Sequence, residues 1–261
     1  MSDLSASFEN LGARTATRVV EMSLFPDVKP DRPVGPIVPS VFVGTNAQLV
    51  AAIAPLYLIG SVCDLTYGMG KWWSLYQPTT FVGHDKFKGD GVDFTALPEA
   101  DGTYDAVCFD PPYIPQGGVD KSTRRGDAFL GRFGLTKSMS DAELWEMVGG
   151  GFAEAARVVK PGGFVLVKCM DFVNGSGLTL GHRRVLDMAD VLGLRCHDLI
   201  VHNTGSGPGG HNIFTPKRAR RHHSYLLVFV RPRSSATCTP EVLDAARARL
   251  AELLADEDGA A

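Results

Sequence analysis

The side chains best suited to chemistry lie in residues 104–115, which read Tyr-Asp-Ala-Val-Cys-Phe-Asp-Pro-Pro-Tyr-Ile-Pro. The apolar run Ala106–Phe109 predicts a buried strand, and it must end at Asp110 because the two prolines that follow cannot donate to a β-ladder. The residues after the strand then form a rigid polar ledge at its carboxyl end, where open α/β sheets bind ligands. A carboxylate, a fixed backbone carbonyl and a flat ring could hold one planar group there. The candidate catalytic residues are Asp110, Pro111, Pro112 and Tyr113.

Three more acids follow predicted strands. Asp64 closes the first strand before a turn with two glycines, Asp85 closes the second strand, and Asp93 comes after a glycine-rich turn. Glycines let a backbone bend tightly and approach a ligand closely. The turn after Asp64 is neither a phosphate loop nor a dinucleotide fingerprint, because it lacks the Gly-Lys-Ser/Thr pattern and a third glycine. Each acid alone could be a helix cap or a turn residue, but four acids at strand ends predict a binding site at one edge of a sheet.

Strands alternate with helices along the chain, which predicts a mainly parallel α/β sheet covered by helices on both faces. The predicted strands are residues 62–65, 80–82, 105–109, 164–170, 195–202 and 224–230. The predicted helices are residues 47–58 capped by Thr45, residues 140–158 capped by Ser140, residues 181–192, a last helix from Pro240, and a helix start at residues 71–76. Residues 160–163 are predicted to be a sharp turn. The predicted domains are an irregular lead-in over residues 1–40, one α/β domain over residues 41–233, and an amphipathic helix over residues 239–258.

Composition sets the class of protein. The chain has 261 residues, and a hydrophobic content of 44% is enough for a packed core. No apolar run is long enough to span a membrane, and the polar start Met1–Asn10 is unlike a signal peptide, so no membrane partner is expected. The five cysteines form no Cys-x-x-Cys pair, and Cys63, Cys108 and Cys169 lie in apolar runs. We therefore expect reduced core thiols and a cytoplasmic location.

Positive charge is concentrated in two predicted surface loops, although the net charge of the chain is −3. Residues 117–137 and residues 204–223 are rich in glycine and basic side chains, and each segment follows a predicted strand end. These side chains could neutralise nucleic-acid phosphates, or they could be solvated loop charge. The candidate nucleic-acid-binding residues are Lys121, Arg124, Arg125, Arg132, Lys217, Arg218, Arg220 and Arg221.

Two further groups of residues are interpreted as structural. His211, His222 and His223 do not have the spacing of a metal site, so no metal is expected. Trp72 and Trp73 are expected to pack against the sheet.

The Asp-Pro-Pro-Tyr box resembles that of S-adenosylmethionine-dependent amino-methyltransferases of DNA. The series of strand-end acids is similar to the cofactor site of Rossmann-like class I methyltransferases, and the resemblance covers roughly Thr45 to Pro232. It implies their fold, with an antiparallel last strand, because residues 223–229 resemble the closing hairpin strand of these enzymes and residues 160–163 resemble the turn before their fifth strand.

The resemblance also implies roles for individual residues. Asp64 and the two glycines would hold the methionine part of S-adenosylmethionine, Asp85 the ribose, and Asp93 with Phe94 the adenine. The implied cofactor-binding residues are Asp64, Thr66, Gly68, Gly70, Asp85, Asp93 and Phe94.

The box implies methyl transfer to the nitrogen of a planar amide or exocyclic amine, and on DNA such a base would have to be flipped out of the duplex. Adenine N6 is favoured over cytosine N4 because the box begins with Asp and not Ser, and DNA is favoured over RNA as the partner. An RNA guanine-N2 methyltransferase, a protein-glutamine methyltransferase and a catalytically silent nucleotide- or nucleic-acid-binding module stay open as alternatives. No separate target-recognition domain is visible, and the oligomeric state is left open.

Overall fold

The structure is a computed structural model that describes residues 37–112, 140–173, 177–205, 219, 221–233 and 240–258. All of these residues belong to one compact unit. Most of the predicted lead-in, Tyr113 and nearly all of the two basic loops lie outside the described residues. Among the described helices, none is both long and apolar enough to cross a bilayer.

Nine strands and four helices make up the described part of the chain. The strands are β1 (Val41–Val43), β2 (Ser61–Asp64), β3 (Thr80–Gly83), β4 (Tyr104–Phe109), β5 (Val159–Cys169), β6 (Phe172–Val173), β7 (Leu178–Thr179), β8 (Arg195–Asn203) and β9 (Ser224–Val230). The helices are α1 (Asn46–Tyr57), α2 (Asp141–Val158), α3 (Gly181–Val191) and α4 (Pro240–Asp258).

Seven of the strands form one sheet in the order β1-β8-β9-β5-β4-β2-β3, and β6 and β7 form a separate small hairpin. Strand β9 runs antiparallel to β5 and β8, whereas the other pairs in the large sheet are parallel. Helix α1 covers one face, where Ile53 is fully buried, and helices α2, α3 and α4 cover the other, where Phe152 is fully buried. The predicted Rossmann-like fold with an antiparallel last strand and helices on both faces is confirmed.

Both predicted helix caps are present. The backbone N–H of Gln48 donates to Thr45 Oγ1 at 3.2 Å, and that of Glu143 donates to Ser140 Oγ at 3.1 Å. In each case the N3 side chain bonds back to the backbone N–H of the cap residue, which completes a capping box. Each capping box fixes the residue at which its helix begins.

The last helix packs along the stripe that its sequence predicts. Ala246 and Leu250 are buried against the core that also holds α2 and α3, and Leu253 is partly buried there. The Arg247 guanidinium lies 2.6 Å from the carboxylate of Glu154 on α2. Helix α4 is therefore attached to the sheet domain through both apolar and ionic contacts.

Several element predictions are corrected. Residues 160–163 lie within β5, where they form an irregularity between the pairs Tyr104–Val159 and Ala106–Phe164, so the predicted turn is a bulge inside a longer strand. The predicted helix start at residues 71–76 is a single 3₁₀ turn, Lys71–Trp73. The short strand β1 at the sheet edge and the hairpin of β6 and β7 have too few residues for a readable pattern, and they were not predicted.

The sheet places β2 between β3 and β4. From β2 the chain continues to β3 on one side and then crosses to β4 on the other, so the direction of winding reverses between β2 and β4. In doubly wound sheets, ligands bind at the carboxyl ends of the strands that flank such a switch point. Asp64 ends β2 and Asp110 follows β4, so both acids lie at this position.

Candidate active site at the switch point of the sheet

A cavity of about 910 Å³ lies at the switch point, and all four predicted strand-end acids line it. The predicted site residues that line the cavity are Asp64, Thr66, Gly68, Asp85, Asp93, Phe94, Asp110 and Pro112. Gly70 and Pro111 are not part of its lining, and Tyr113 lies outside the described residues. Residues from three loops far apart in sequence therefore meet in one place.

Asp64 is a buried carboxylate that organises the turn after β2. Its Oδ1 accepts hydrogen bonds from the backbone N–H of Thr66 at 2.9 Å and the Thr66 hydroxyl at 3.3 Å, and its Oδ2 accepts one from the indole N–H of Trp73 at 2.6 Å. Burial raises the pKa of Asp64 to about 6, although these donors act in the opposite direction. Asp64 is thus a structural centre of the loop as well as part of the cavity wall.

Thr66 connects the two strand ends. Besides its contacts with Asp64, its Oγ1 accepts a hydrogen bond from the backbone N–H of Asp110 at 2.8 Å. Leu65 N–H also donates to the carbonyl of Cys108 at 3.0 Å, so the loop after β2 is fastened to the end of β4 at two points. These bonds hold the turn after β2 in a fixed position relative to Asp110.

The two glycines of the turn after β2 have the same backbone conformation but different surroundings. Both have the left-handed backbone conformation, with φ of +57° at Gly68 and +65° at Gly70. A Cβ atom at Gly70 would lie 2.5 Å from the hydroxyl of Tyr67, so its constraint is local packing. Gly68 lines the cavity, and a Cβ atom there would come no closer than 3.7 Å to its neighbours. Its bare backbone is therefore available to a ligand.

Asp85 and Asp93 use their carboxylates differently. Asp85 Oδ1 accepts from the backbone N–H groups of Phe87 at 2.8 Å and Lys88 at 2.6 Å, whereas its Oδ2 has no hydrogen bond within the described part of the chain. Asp93 is engaged at both oxygens, by Thr95 at 2.8 Å and by the Lys86 ammonium at 2.5 Å. Burial tends to raise the pKa of Asp93, but Lys86 and Thr95 outweigh it and lower that pKa. Among the described residues, therefore, only Asp93 of these two acids has both oxygens engaged.

Phe94 supplies an apolar wall. Its ring meets the ring of Phe109 edge to face, with centroids 5.2 Å apart, and both rings pack against α2. A Cβ atom at Gly151 would lie 2.6 Å from each of these rings, so only glycine lets the helix pass so close to them. This glycine of α2 was not identified from the sequence.

Asp110 is partly buried at the rim of the sheet. Burial raises the pKa of Asp110 to about 6, and the nearby Asp64 carboxylate also raises it. The Lys168 ammonium and the Trp72 side chain act in the opposite direction and lower it. A carboxyl group with this pKa is mainly ionised at neutral pH and can accept hydrogen bonds there.

Two residues of the site, Trp72 and Lys168, were missed as functional candidates. Trp73 packs on Phe81 as predicted, with ring centroids 4.7 Å apart, and it also bonds Asp64. Trp72 lines the cavity, and its side chain lowers the pKa of Asp110, so its role goes beyond the expected packing against the sheet. The sequence did contain a signal for Lys168: it is the one charged residue in the apolar run 164–170, and a charge in a buried strand needs a partner.

The predicted nucleic-acid contacts are outside the described residues except for one. Arg221 donates from Nη1 to the carbonyl of Ala219 at 3.0 Å. Among the residues that are described, no group of three or more His, Cys, Asp or Glu side chains could hold a metal ion.

The sequence matches no known protein family and no curated protein. Among solved structures it is similar to a candidate DNA modification methylase of Thermus thermophilus, with 17% identity and a TM-score of 0.36, over 57% of this chain and 56% of that one. That protein has also been solved in complex with S-adenosyl-L-methionine.

Two other solved structures illustrate the range of similar proteins. The cyclase SpnF is 14% identical, with a TM-score of 0.45 over 72% of this chain and 81% of that one. A SAM-dependent methyltransferase of Methanosarcina mazei is 9% identical, with a TM-score of 0.35 over 67% and 93%. The present chain spans little more than half the length of the Thermus protein.

Proposed function

We propose that this protein is an S-adenosylmethionine-dependent methyltransferase that modifies the exocyclic amine of a flipped base in DNA, with adenine N6 favoured over cytosine N4. One observation carries the proposal: Asp110 of the Asp-Pro-Pro-Tyr box lies at the switch point of the sheet, beside a cavity of about 910 Å³ that three other strand-end acids line. An acceptor group for an amine and space for a methyl donor therefore adjoin each other.

The lining of the cavity fits S-adenosylmethionine. Its volume is within the usual range of small-molecule sites. The backbone of Gly68 in the cavity wall suits the methionine part, and the Phe94 ring offers an apolar surface to the adenine. Asp85 Oδ2, which has no hydrogen bond among the described residues, could accept from the ribose hydroxyls. Asp64 already accepts three hydrogen bonds, which leaves about one lone pair for an ammonium group. Asp93 would contribute mainly by fixing the conformation of the turn that carries Phe94, because both of its carboxylate oxygens already bind Thr95 and Lys86.

The chemistry assigned to Asp110 follows from what an aromatic amine lacks. S-adenosylmethionine, when bound, supplies a methyl group activated by a positively charged sulfur. The amine is a poor nucleophile because its lone pair is delocalised into the ring. Hydrogen bonds from its two protons to the Asp110 carboxylate and the Pro111 carbonyl favour a pyramidal nitrogen with an available lone pair. Positioning and electrostatic stabilisation of the developing positive charge would then supply most of the acceleration.

The choice of DNA rests on the sequence. A base inside a duplex cannot reach the rim of the sheet, so the target must be flipped, and Tyr113 is the predicted stacking platform. The basic residues of the two loops are the predicted phosphate contacts. The Asp at the first position of the box supports adenine over cytosine.

The decisive experiment offers radiolabelled S-adenosylmethionine with unmethylated DNA, ribosomal RNA and transfer RNA in parallel and identifies the modified nucleoside. We expect label in N6-methyladenine of DNA. Label in guanosine of RNA, with none in DNA, would contradict the DNA assignment and favour the guanine-N2 alternative. Cofactor binding without transfer to any acceptor would favour a silent binding module.

Two variants test the role of Asp110 in the same assay. D110A should bind cofactor but lose methyl transfer, while D187A, which removes a carboxylate from the outer surface of α3, should match the parent. If D110A transferred methyl groups as fast as the parent protein, the catalytic assignment would be wrong.

A further experiment tests the loops. Replacing Arg218, Arg220 and Arg221 by Ala should reduce the slope of log affinity for DNA against log salt by about 0.9 for each phosphate that is no longer neutralised, without changing cofactor affinity. R183A on α3, where the side chain is 73% exposed, is the matched control. An unchanged slope would identify the loop arginines as solvated charge.

A further inference from the structure

Lys168 is a buried cation next to the candidate catalytic acid. The register of β4 and β5 pairs Phe109 with Val167, so Asp110 and Lys168 occupy the next step on adjacent strands. Lys168 is only 9% exposed, which is unusual for a lysine. A buried ammonium is costly unless an opposite charge compensates for its lost hydration, so the structure must supply that charge nearby.

Two neighbours orient the Lys168 ammonium. It donates a hydrogen bond to Oδ1 of Asn46, the first residue of α1, and it lies over the Trp72 ring at 5.6 Å from the centroid. Within the described part of the chain, no carboxylate comes within 4.0 Å of it. Its charge acts on Asp110, which follows the neighbouring strand at the facing position: burial lowers the pKa of Lys168, and the Asp110 carboxylate opposes that effect.

Other titratable groups surround this pair. Asp64 contributes a second carboxylate from β2, and the Cys169 thiol follows Lys168 on β5. His202 on β8 donates from Nε2 to the Gly44 carbonyl at 2.8 Å, and burial lowers its pKa, so it stays neutral at physiological pH. Lys168 is therefore the basic group among these that can carry a positive charge towards Asp110 at neutral pH.

We propose that Lys168, held by Asn46 and Trp72, is a positioning residue that keeps the Asp110 carboxylate ionised and ready to accept the amine protons of the substrate. This inference rests on the proposed function and extends it to a residue outside the Asp-Pro-Pro-Tyr box. Trp72 acts on both groups, because its ring lies beneath the Lys168 ammonium and its side chain lowers the pKa of Asp110, whereas Lys168 acts on Asp110 through its charge. The amine itself would contact Asp110 and not Lys168.

The test compares the variants K168M and K168R, with K160M as the control. Lys160 lies at the opposite end of the same strand, where its ammonium pairs with the half-exposed Asp105 carboxylate at 2.8 Å. Aspartate labelled with ¹³C at the carboxyl carbon allows Asp110 to be titrated by NMR without any substrate, the signal being assigned as the one absent in D110N. In K168M we expect the pKa of Asp110 to rise by about one unit or more, because a neighbouring opposite charge that favours the ionised carboxylate is removed. K168R should restore the parent value and K160M should leave it unchanged.

Single-turnover methyl transfer at several pH values supplies the second readout. The acid limb of the pH–rate profile should move upward in K168M by the same amount as the NMR titration, and K168R should move it back. An Asp110 titration identical in K168M and the parent would overturn the inference, even if K168M were inactive. A parent protein that transfers no methyl group to any acceptor would instead refute the proposed function, while the NMR titration would still decide whether Lys168 holds Asp110 ionised.

Discussion

The hydroxyl of Thr66 lies between the two halves of the candidate site: it accepts a hydrogen bond from the backbone N–H of Asp110 at 2.8 Å and donates to Oδ1 of Asp64 at 3.3 Å. The end of β2 and the end of β4 are thus joined by a single side chain at the switch point of the sheet. A change in the loop that lines the cavity would be transmitted to Asp110 through this contact. The site is therefore one connected unit, not a cofactor cavity with an independent acid beside it.

Replacing Thr66 tests this connection. T66V keeps the shape of the side chain but leaves the Asp110 N–H and an Asp64 lone pair without a partner, so we expect a loss of about 1–3 kcal/mol in the free energy of unfolding, together with slower methyl transfer. T66S keeps the hydroxyl and should stay close to the parent in both measurements. Urea unfolding and single-turnover transfer would check this, and equal results for T66V and T66S would show that the hydroxyl is dispensable.

Asp85 allows its two oxygens to be tested separately. In D85N the side-chain carbonyl can still accept from Phe87 and Lys88, so the turn should persist, but the free oxygen becomes an amide donor. We expect the affinity for S-adenosylmethionine to fall about tenfold or more, the equivalent of one charge-assisted hydrogen bond, with an unchanged melting temperature. Calorimetric titration with D187N as control would measure this. Full affinity in D85N would remove Asp85 from the set of cofactor contacts.

Stability should depend on pH through Asp110. Its pKa of about 6 in the folded protein lies above the ordinary value of an aspartate, so the folded state binds this proton more tightly than the unfolded chain. The resulting stabilisation is complete below the unfolded pKa and is lost as the pH rises through 6. D110N, which stays neutral, should therefore be more stable than the parent at pH 7 by on the order of 2 kcal/mol, although inactive.

Repeating the comparison of D110N with the parent at a lower pH provides the control for this effect. Urea unfolding at about pH 4, where Asp110 is protonated in the folded protein, should bring D110N and the parent together. A difference that is the same at both pH values, or a less stable D110N at pH 7, would mean that the Asp110 charge is fully compensated in the folded state.

The sequence was sufficient for the parts of the molecule that depend on local pattern. The apolar run before Asp110, the two capping boxes and the stripe of α4 each depend on residues close together in the chain. The four acids could be assigned to one edge because carboxyl ends of parallel strands share an edge. Their convergence on one cavity followed from topology alone.

What could not be predicted depends on register and packing between distant segments. Lys168 lies beside Asp110 only because β4 and β5 pair with one particular alignment. Gly70 has the same residue type and turn as Gly68, yet the position of the Tyr67 ring gives it a packing role instead of a place in the cavity wall. The hydrogen bond of Trp73 to Asp64 and the place of Trp72 in the cavity wall likewise depend on the position of a single 3₁₀ turn, which no sequence periodicity indicates.

Glu154 offers a test of how the far side of the domain is held together. This carboxylate is 5% exposed on α2, and it bonds Arg157 at 2.7 Å, Arg247 of α4 at 2.6 Å and the backbone N–H of Leu97 at 2.9 Å. E154A would leave the buried N–H of Leu97 without its acceptor, whereas Arg157 keeps its contact with Asp101 and Arg247 keeps its contact with Asp244. We therefore expect a loss of about 1–3 kcal/mol in the free energy of unfolding. E252A, at an exposed position of α4, should change it by less than about 0.5 kcal/mol. Because Glu154 does not line the cavity, the folded E154A protein should bind the cofactor as tightly as the parent. A weakened affinity with unchanged stability would instead assign Glu154 to the site and not to the attachment of α4.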